Sequence, residues 1–493
     1  MNEKRVKIHK KLSSLGRRLS GIKISDKSYF DGENPQNIKT DLINFDYSKQ
    51  RVNQEVLDFL IDIPDQLDIR GSLDNLFGGN FRNPSESRKV SHTIYRSKSA
   101  LENFELIFSE RKKIKLFLGK IKEDKTTKNI ISISIGGSRL GAELIQEFHS
   151  NTDSLKVYFC SSYDLIELSD VIKSCSQEDT IVFAVSKSFE TPEVLKNLDF
   201  IKSWFSEIPN LDFRDHLYGI SSNMSAMTNY GIKKSNQFEL LDSLGGRLSL
   251  WSSVSLPSFI NSDFEDYLSF LEGAYLADQH TQSASWRNNI PVMMALLSIF
   301  NSSLQINNHA IFTYNFRLRS LAKYIAQLSM ESSGKSINFN HEKSPFNTSP
   351  LIWGGYGIEA QHSTFQWLMQ GKTETSCDFI GLNDGNDDSK DSWEMLLSQV
   401  IAMSYGENNS KAPYKSTKGN NPCSIIQLNS LSFKSLGFLL ALYEHKVFVE
   451  SLILGIDPYD QWGVQLGKRL ALTSSQDKNF LSSFFDDDFL SKS

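Results

Sequence analysis

The chain has 493 residues, 39% of them hydrophobic and 23% charged, with a formal net charge of −5. That length is too great for one ordinary core and calls for two or more domains, and the composition is that of a globular protein. The acidic balance excludes a general electrostatic attraction to nucleic acid or to an anionic membrane, and the longest apolar runs, such as 292–300, are too short to cross a bilayer.

In chain order, residues 1–20 are basic and amphipathic without the apolar core of a secretory signal, and they read as a first surface helix. The first hundred residues read as helix and loop, with a helical cluster at 56–61 and a Gly- and Asn-rich loop at 78–80. From Asn129 the pattern changes. The β-branched run 130–135 ends in Gly136-Gly137, as a buried strand does, and Leu140, Leu144, Ile145 and Phe148 then recur at helical spacing. Further strands are predicted at 155–160, 180–185 and 216–220, with helical patterns between them, so the segment reads as a parallel sheet with helices on both faces. Helices are expected at 264–277, 292–304 and 318–332, strands at 310–314 and 351–353, and a long last helix at 432–454. Phe484-Phe485 followed by Asp486-Asp487-Asp488 reads as a frayed terminus.

Two strand-to-helix junctions can cradle an anion. Gly136-Gly137-Ser138 lets backbone approach a ligand and presents a helix N-terminus. Ser186-Lys187-Ser188-Phe189-Glu190-Thr191 sets hydroxyls around a lysine. Taken singly, each is equally a tight turn or a cap. Neither is a Walker loop or GxGxxG, so nucleotide binding is not indicated. In the 318–332 helix, Gln327 and Glu331 are four apart and share a face, with Gly334 as the stop. A carboxylate in the last turn meets the negative helix end, a position that favours a raised carboxyl pKa and suits a carbon-acid base. A solvated surface glutamate is the competing reading. Arg247, His362 and Lys468 are individually ambiguous. The four cysteines (Cys160, Cys175, Cys377 and Cys423) form no CxxC pair, which gives no zinc or thioredoxin motif and fits a reducing compartment.

Together the segments are more specific. DSLGGRLSLWS at 242–252 and YDQWGVQLGK at 459–468 closely resemble the two signatures of the glucose-6-phosphate isomerase family. QLSMESSGK at 327–335, GIEAQHSTFQWLMQGK at 357–372 and YEHKVFVES at 443–451 lie between them in the family's order. The resemblance covers roughly residues 130–471.

It implies an α/β fold with two sugar-isomerase domains, each a doubly wound parallel-sheet αβα sandwich, and helical terminal extensions. The implied division is an N-terminal extension over 1–100, a first domain over 101–255, a second over 256–471 and a tail over 472–493. The implied activity is the interconversion of glucose 6-phosphate and fructose 6-phosphate through a cis-enediol. In that reading Ser138, Ser186, Lys187, Ser188 and Thr191 hold the phosphate, and Glu331 moves a proton between C1 and C2. Arg247 stabilises the intermediate, and Gln327 and Gln461 bind hydroxyls. Lys468 and His362 open the sugar ring, with His362 supplied by the partner in a cytoplasmic homodimer. No metal or cofactor is implied, and no nucleic acid or membrane partner.

The chain departs from the family pattern at Arg139, Ser188, Glu190, Pro192, Leu248 and Ser329. Glu190 is the departure that bears most on the phosphate, because it adds negative charge to the second loop. Two other readings share the scaffold: a broader isomerase that also accepts mannose 6-phosphate, and a non-catalytic sugar-phosphate sensor. Retention of Glu331, Arg247, His362 and Lys468 argues against the sensor, since binding alone needs no base.

Overall fold

The computed structural model describes residues 2–26, 36–97, 104–149, 155–477 and 480–485. The expected frayed end at 486–488 lies outside the described residues. Strands β1 (Asn37–Lys39) and β2 (Ile43–Lys49) come first in the chain, but they pair with a sheet completed much later. The first sheet is built from β3 (Asn129–Ser134), β4 (Lys156–Cys160), β5 (Thr180–Val185), β6 (Leu217–Ser221) and β7 (Gln237–Glu239), all parallel, in the order β4-β3-β5-β6-β7. The second sheet adds β8 (Asn308–Thr313), β9 (Leu351–Tyr356), β10 (Ser376–Leu382) and β11 (Cys423–Leu428). Its order is β1-β2-β11-β10-β8-β9, with β8 to β11 parallel.

Alternation along each strand explains the layering, because successive side chains point to opposite faces. Ile130, Phe183 and Ile220 of the first sheet and Ile311, Ile380 and Ile426 of the second share one central core. Their neighbours in the strands face outward under helices: Ile131, Ile133 and Val182 in one outer cluster, Ala310, Phe312 and Phe379 in the other. Each sheet is thereby covered on both faces, as parallel sheets require. The Phe433–Leu454 helix is buried on every face from Ser435 onward, which suits a helix with no polar stripe. It packs against the Phe264–Ser283, Ile290–Ser303 and Leu321–Ser333 helices.

The reading of the first hundred residues as helix and loop is corrected at β1 and β2. Ile43, Phe45 and Tyr47 are buried while Asn44, Asp46 and Ser48 are only partly so, a period-2 pattern that makes β2 an antiparallel neighbour of β11. The N-terminal helix, Asn2–Leu19, is anchored rather than merely superficial. Ile8, Leu12, Leu15 and Leu19 are buried, and Arg5 donates to the carbonyls of Leu452 and Ile453 at the end of the buried helix. At the other end, the Gln465–Gln476 helix leaves Leu466, Leu470 and Leu472 exposed. No helix among the described residues is long and apolar enough to cross a membrane.

Candidate active site

In the first sheet the chain passes from β3 outward to β4 and returns to place β5 on the other side of β3. The carboxyl ends of β3 and β5 therefore flank the switch point, where open α/β sheets bind ligands. Both anion-binding candidates from the sequence start there. After β3, Gly136 takes φ 57°, and Ser138 stands in the first turn of the Gly137–Phe148 helix. After β5, Ser186 Oγ contacts Thr191 Oγ1 at 2.9 Å and accepts the Phe189 N–H at 3.1 Å. Phe189 is buried at φ 55°, in the left-handed region, and it anchors a tight loop that leaves Ser188 exposed and Lys187 half-buried. Lys187 Nζ donates to the Asp242 carbonyl at 2.5 Å. Burial pulls the Lys187 pKa below the ordinary lysine value, with Asp242 acting in the opposite direction.

Arg247 is the fixed point of the site. It is 3% exposed, and its whole guanidinium is used. Nε donates to Ser332 Oγ at 2.8 Å, Nη1 to Gln461 Oε1 at 2.8 Å, and Nη2 to the carbonyls of Pro458 and Asp460. Glu331 Oε1 lies 3.4 Å from Nη1. Burial lowers the Arg247 pKa from its usual value, and Glu331 and then Asp460 oppose that shift.

Glu331 sits in the last turn of the Leu321–Ser333 helix with its side chain 24% exposed. It opens into a cleft of about 770 Å³ that Lys335, Asp457, Asp460, Gln461 and Trp462 also line. One turn earlier, Gln327 faces the first loop: a Cβ on Gly136 would stand 3.4 Å from its Nε2. Gln327 Oε1 is buried without a hydrogen-bond partner among the described residues.

A single chain thus brings together Arg247, Glu331, Gln327 and Gln461, with Ser138 and the 186–191 loop at the neighbouring switch point. It does not bring in the other two. His362 is exposed at the end of the short Gly357–Gln361 helix, and Lys468 is exposed on the Gln465–Gln476 helix; neither lines the cleft beside Glu331.

A family profile described as Phosphoglucose isomerase matches residues 46–486. The chain belongs to the phosphoglucose isomerase family. The glucose-6-phosphate isomerase of Pseudoalteromonas translucida is 35% identical over 468 residues, covering 87% of this chain and 85% of that protein. That of Buchnera aphidicola is 36% identical over 467 residues, covering 87% and 86%. A glucose-6-phosphate isomerase structure from Chlamydia trachomatis superposes with a TM-score of 0.87 at 28% identity, covering 97% of this chain and 96% of that one. The two doubly wound sandwiches are this family's sugar-isomerase architecture, and the chain is an enzyme of the isomerase class.

Three departures from the family pattern now have a physical setting. Arg139 turns to Glu143 at 3.3 Å, Glu167 at 3.0 Å and Ser161 Oγ at 2.6 Å, so its charge is matched beside β4. Glu190 is exposed, with its charge open to water. Pro192 begins the Pro192–Phe205 helix with Thr191 at the N-cap, the position where proline's missing N–H costs nothing.

Sequence reasoning assigned no role to Ser332, Asp460 or Lys335, although all three shape the surroundings of Arg247 and Glu331. Lys335, four residues after Glu331 at a helix end, carried a readable signal. The backbone acceptors at Pro458 and Asp460 carried none, because any residue supplies a carbonyl.

Proposed function

We propose that the chain interconverts glucose 6-phosphate and fructose 6-phosphate, with Glu331 as the base that carries a proton between C1 and C2. The observation that carries this reading is Glu331 Oε1 at 3.4 Å from a guanidinium already fixed by four other acceptors. Removal of the C2 proton of the open-chain aldose by Glu331 leaves an enediolate whose negative charge develops on oxygen. Arg247 provides a cation that need not reorganise as that charge appears, which is the most effective form of electrostatic stabilisation. Passage of the hydroxyl proton from O2 to O1 and return of the proton from Glu331 to C1 give the ketose, and the reverse sequence regenerates the aldose. Ser138, Ser186, Lys187, Ser188 and Thr191 hold the phosphate at the switch point. Gln327, whose oxygen has no partner among the described residues, and Gln461 take sugar hydroxyls.

Ring opening falls to His362 and Lys468. We place His362 in the site of a second copy, in a homodimer. Exposed Trp462, Leu466 and Leu470 support a partner face along the C-terminal segment. Docking of the Gln465–Gln476 helix over the cleft brings in Lys468. The four unpaired cysteines suit a reducing cytoplasm.

The test is turnover of fructose 6-phosphate by the purified chain, read by coupled detection of glucose 6-phosphate with a chelator present. Binding without turnover overturns the reading in favour of a sensor. A parallel assay with mannose 6-phosphate sets the breadth of the substrate class.

A further inference from the structure

We infer that Lys335 is a positioning residue for this reaction: it fastens the carboxyl end of the Glu331 helix to the Asp460 turn. The inference rests on the proposed role of Glu331.

Lys335 follows the Leu321–Ser333 helix directly after Gly334. A Cβ on Gly334 would lie 2.4 Å from the Met330 carbonyl oxygen, so glycine is what allows the chain to turn back here. The turn returns the lysine over its own helix end, where Nζ donates to the carbonyls of Glu331, at 3.1 Å, and Ser332. The same ammonium pairs with Asp460 Oδ1 at 3.2 Å. Oδ1 is buried with no other partner among the described residues, so this ion pair is what offsets its burial.

The consequence for the site is mechanical. The Asp460 carbonyl and the Gln461 side chain both hold Arg247, and Ser332 holds it from the helix. Lys335 therefore joins the two elements that aim the arginine at the reacting oxygens. The charged or titratable groups around the lysine are Asp460 and Asp457 on the facing turn, Arg247, and His341 on the cleft wall. Burial lowers the Lys335 pKa from its ordinary value, with Asp460 opposing and Arg247 reinforcing the shift.

The experiment compares Lys335→Met, Lys335→Gln and Lys335→Arg in the full chain, with kcat and KM measured for fructose 6-phosphate and Glu331→Gln as the control for the base. Lys335→Met is expected to lower kcat by on the order of 100-fold through misplacement of the catalytic pair, with a smaller change in KM. Lys335→Gln keeps a donor and loses the ion pair with Asp460, so less of kcat should be lost than in Met. Lys335→Arg should restore most of kcat. Unimpaired kcat in a folded Met variant, or a KM raised as much as kcat falls, overturns the inference. If Met fails to fold, unimpaired kcat in Gln overturns it. Activity surviving in Glu331→Gln sinks the base assignment instead, and the two failures stay distinct.

Discussion

Gly137 and Arg247 meet backbone to backbone: a Cβ on Gly137 would stand 2.4 Å from the Arg247 nitrogen and from the Gly246 carbonyl carbon. The first loop after β3 and the arginine loop are thereby spaced as one unit, and no side chain fits between them. Gly137→Ala is expected to destabilise the protein by about 1–3 kcal/mol, as overpacking does, and to weaken fructose 6-phosphate binding as Ser138 moves away from Arg247. Urea midpoints and KM measured together check it; a variant with wild-type values of both contradicts it.

Glu331→Gln removes the base and keeps the shape. Turnover is expected to fall by about 10²–10⁴-fold while a phosphosugar inhibitor binds with nearly unchanged affinity. Steady-state kinetics and calorimetric titration of the inhibitor distinguish this outcome from a general collapse of the site.

Arg247→Lys is not conservative here. Nε, Nη1 and Nη2 each have their own acceptors, and an ammonium on a flexible stem cannot reproduce that fork. A loss in kcat of about 10²–10³-fold is expected. A lysine variant within a factor of a few of wild type would show that charge alone suffices.

Complementation tests the assignment of His362 to a neighbouring copy. Glu331→Gln and His362→Ala proteins, each inactive alone, should regain activity when unfolded and refolded together, because a mixed dimer carries one intact site. Equal activity with and without mixing places the histidine in its own subunit.

Stability should depend on pH through a residue remote from the chemistry. Burial pushes the Glu110 carboxyl up to about 7, against the Ser253 N–H that it accepts at 2.9 Å. An unfolded glutamate titrates near its ordinary value of about 4.3. Between those values the native chain holds a proton that the unfolded chain has released. Stability therefore falls as pH rises through the window, and the penalty is complete above about 7. Glu110→Gln should gain stability over the parent at pH 8, on the order of 3 kcal/mol, and show little gain near pH 4.5. Denaturant curves at both pH values read the difference; an equal gain at each refutes it.

Much of the first sheet was legible because its strands are short β-branched runs closed by glycine or serine. The predicted strand at 180–185 coincides with β5. Strand β2 was missed although INFDYSK alternates cleanly, since its local partner β1 is only three residues long and its other partner, β11, is remote in sequence. At the site, Glu331 and Arg247 stood out through the motifs around them. Three of the four acceptors that immobilise Arg247 did not, because two are backbone carbonyls and one, Ser332, looks like any serine at a helix end; only Gln461 was named beforehand. The family resemblance already implied a His362 supplied from a partner, but nothing in the sequence showed that Lys468 stands outside the cleft of its own chain.

Strand β2 also bears on how the protein is made. Asn44 Nδ2 donates to Asn429 Oδ1 across a separation of 385 residues, and the neighbouring strands pair only when both stretches exist. During synthesis the first sheet can close as soon as its own strands emerge, whereas residues 37–49 must wait for almost the whole remaining chain. Such distant pairing is slow and leaves an unpaired edge in the interval. The order of translation thus runs opposite to the order of assembly, and the second sheet is the point at which a nascent chain is most open to chaperones or to misassembly.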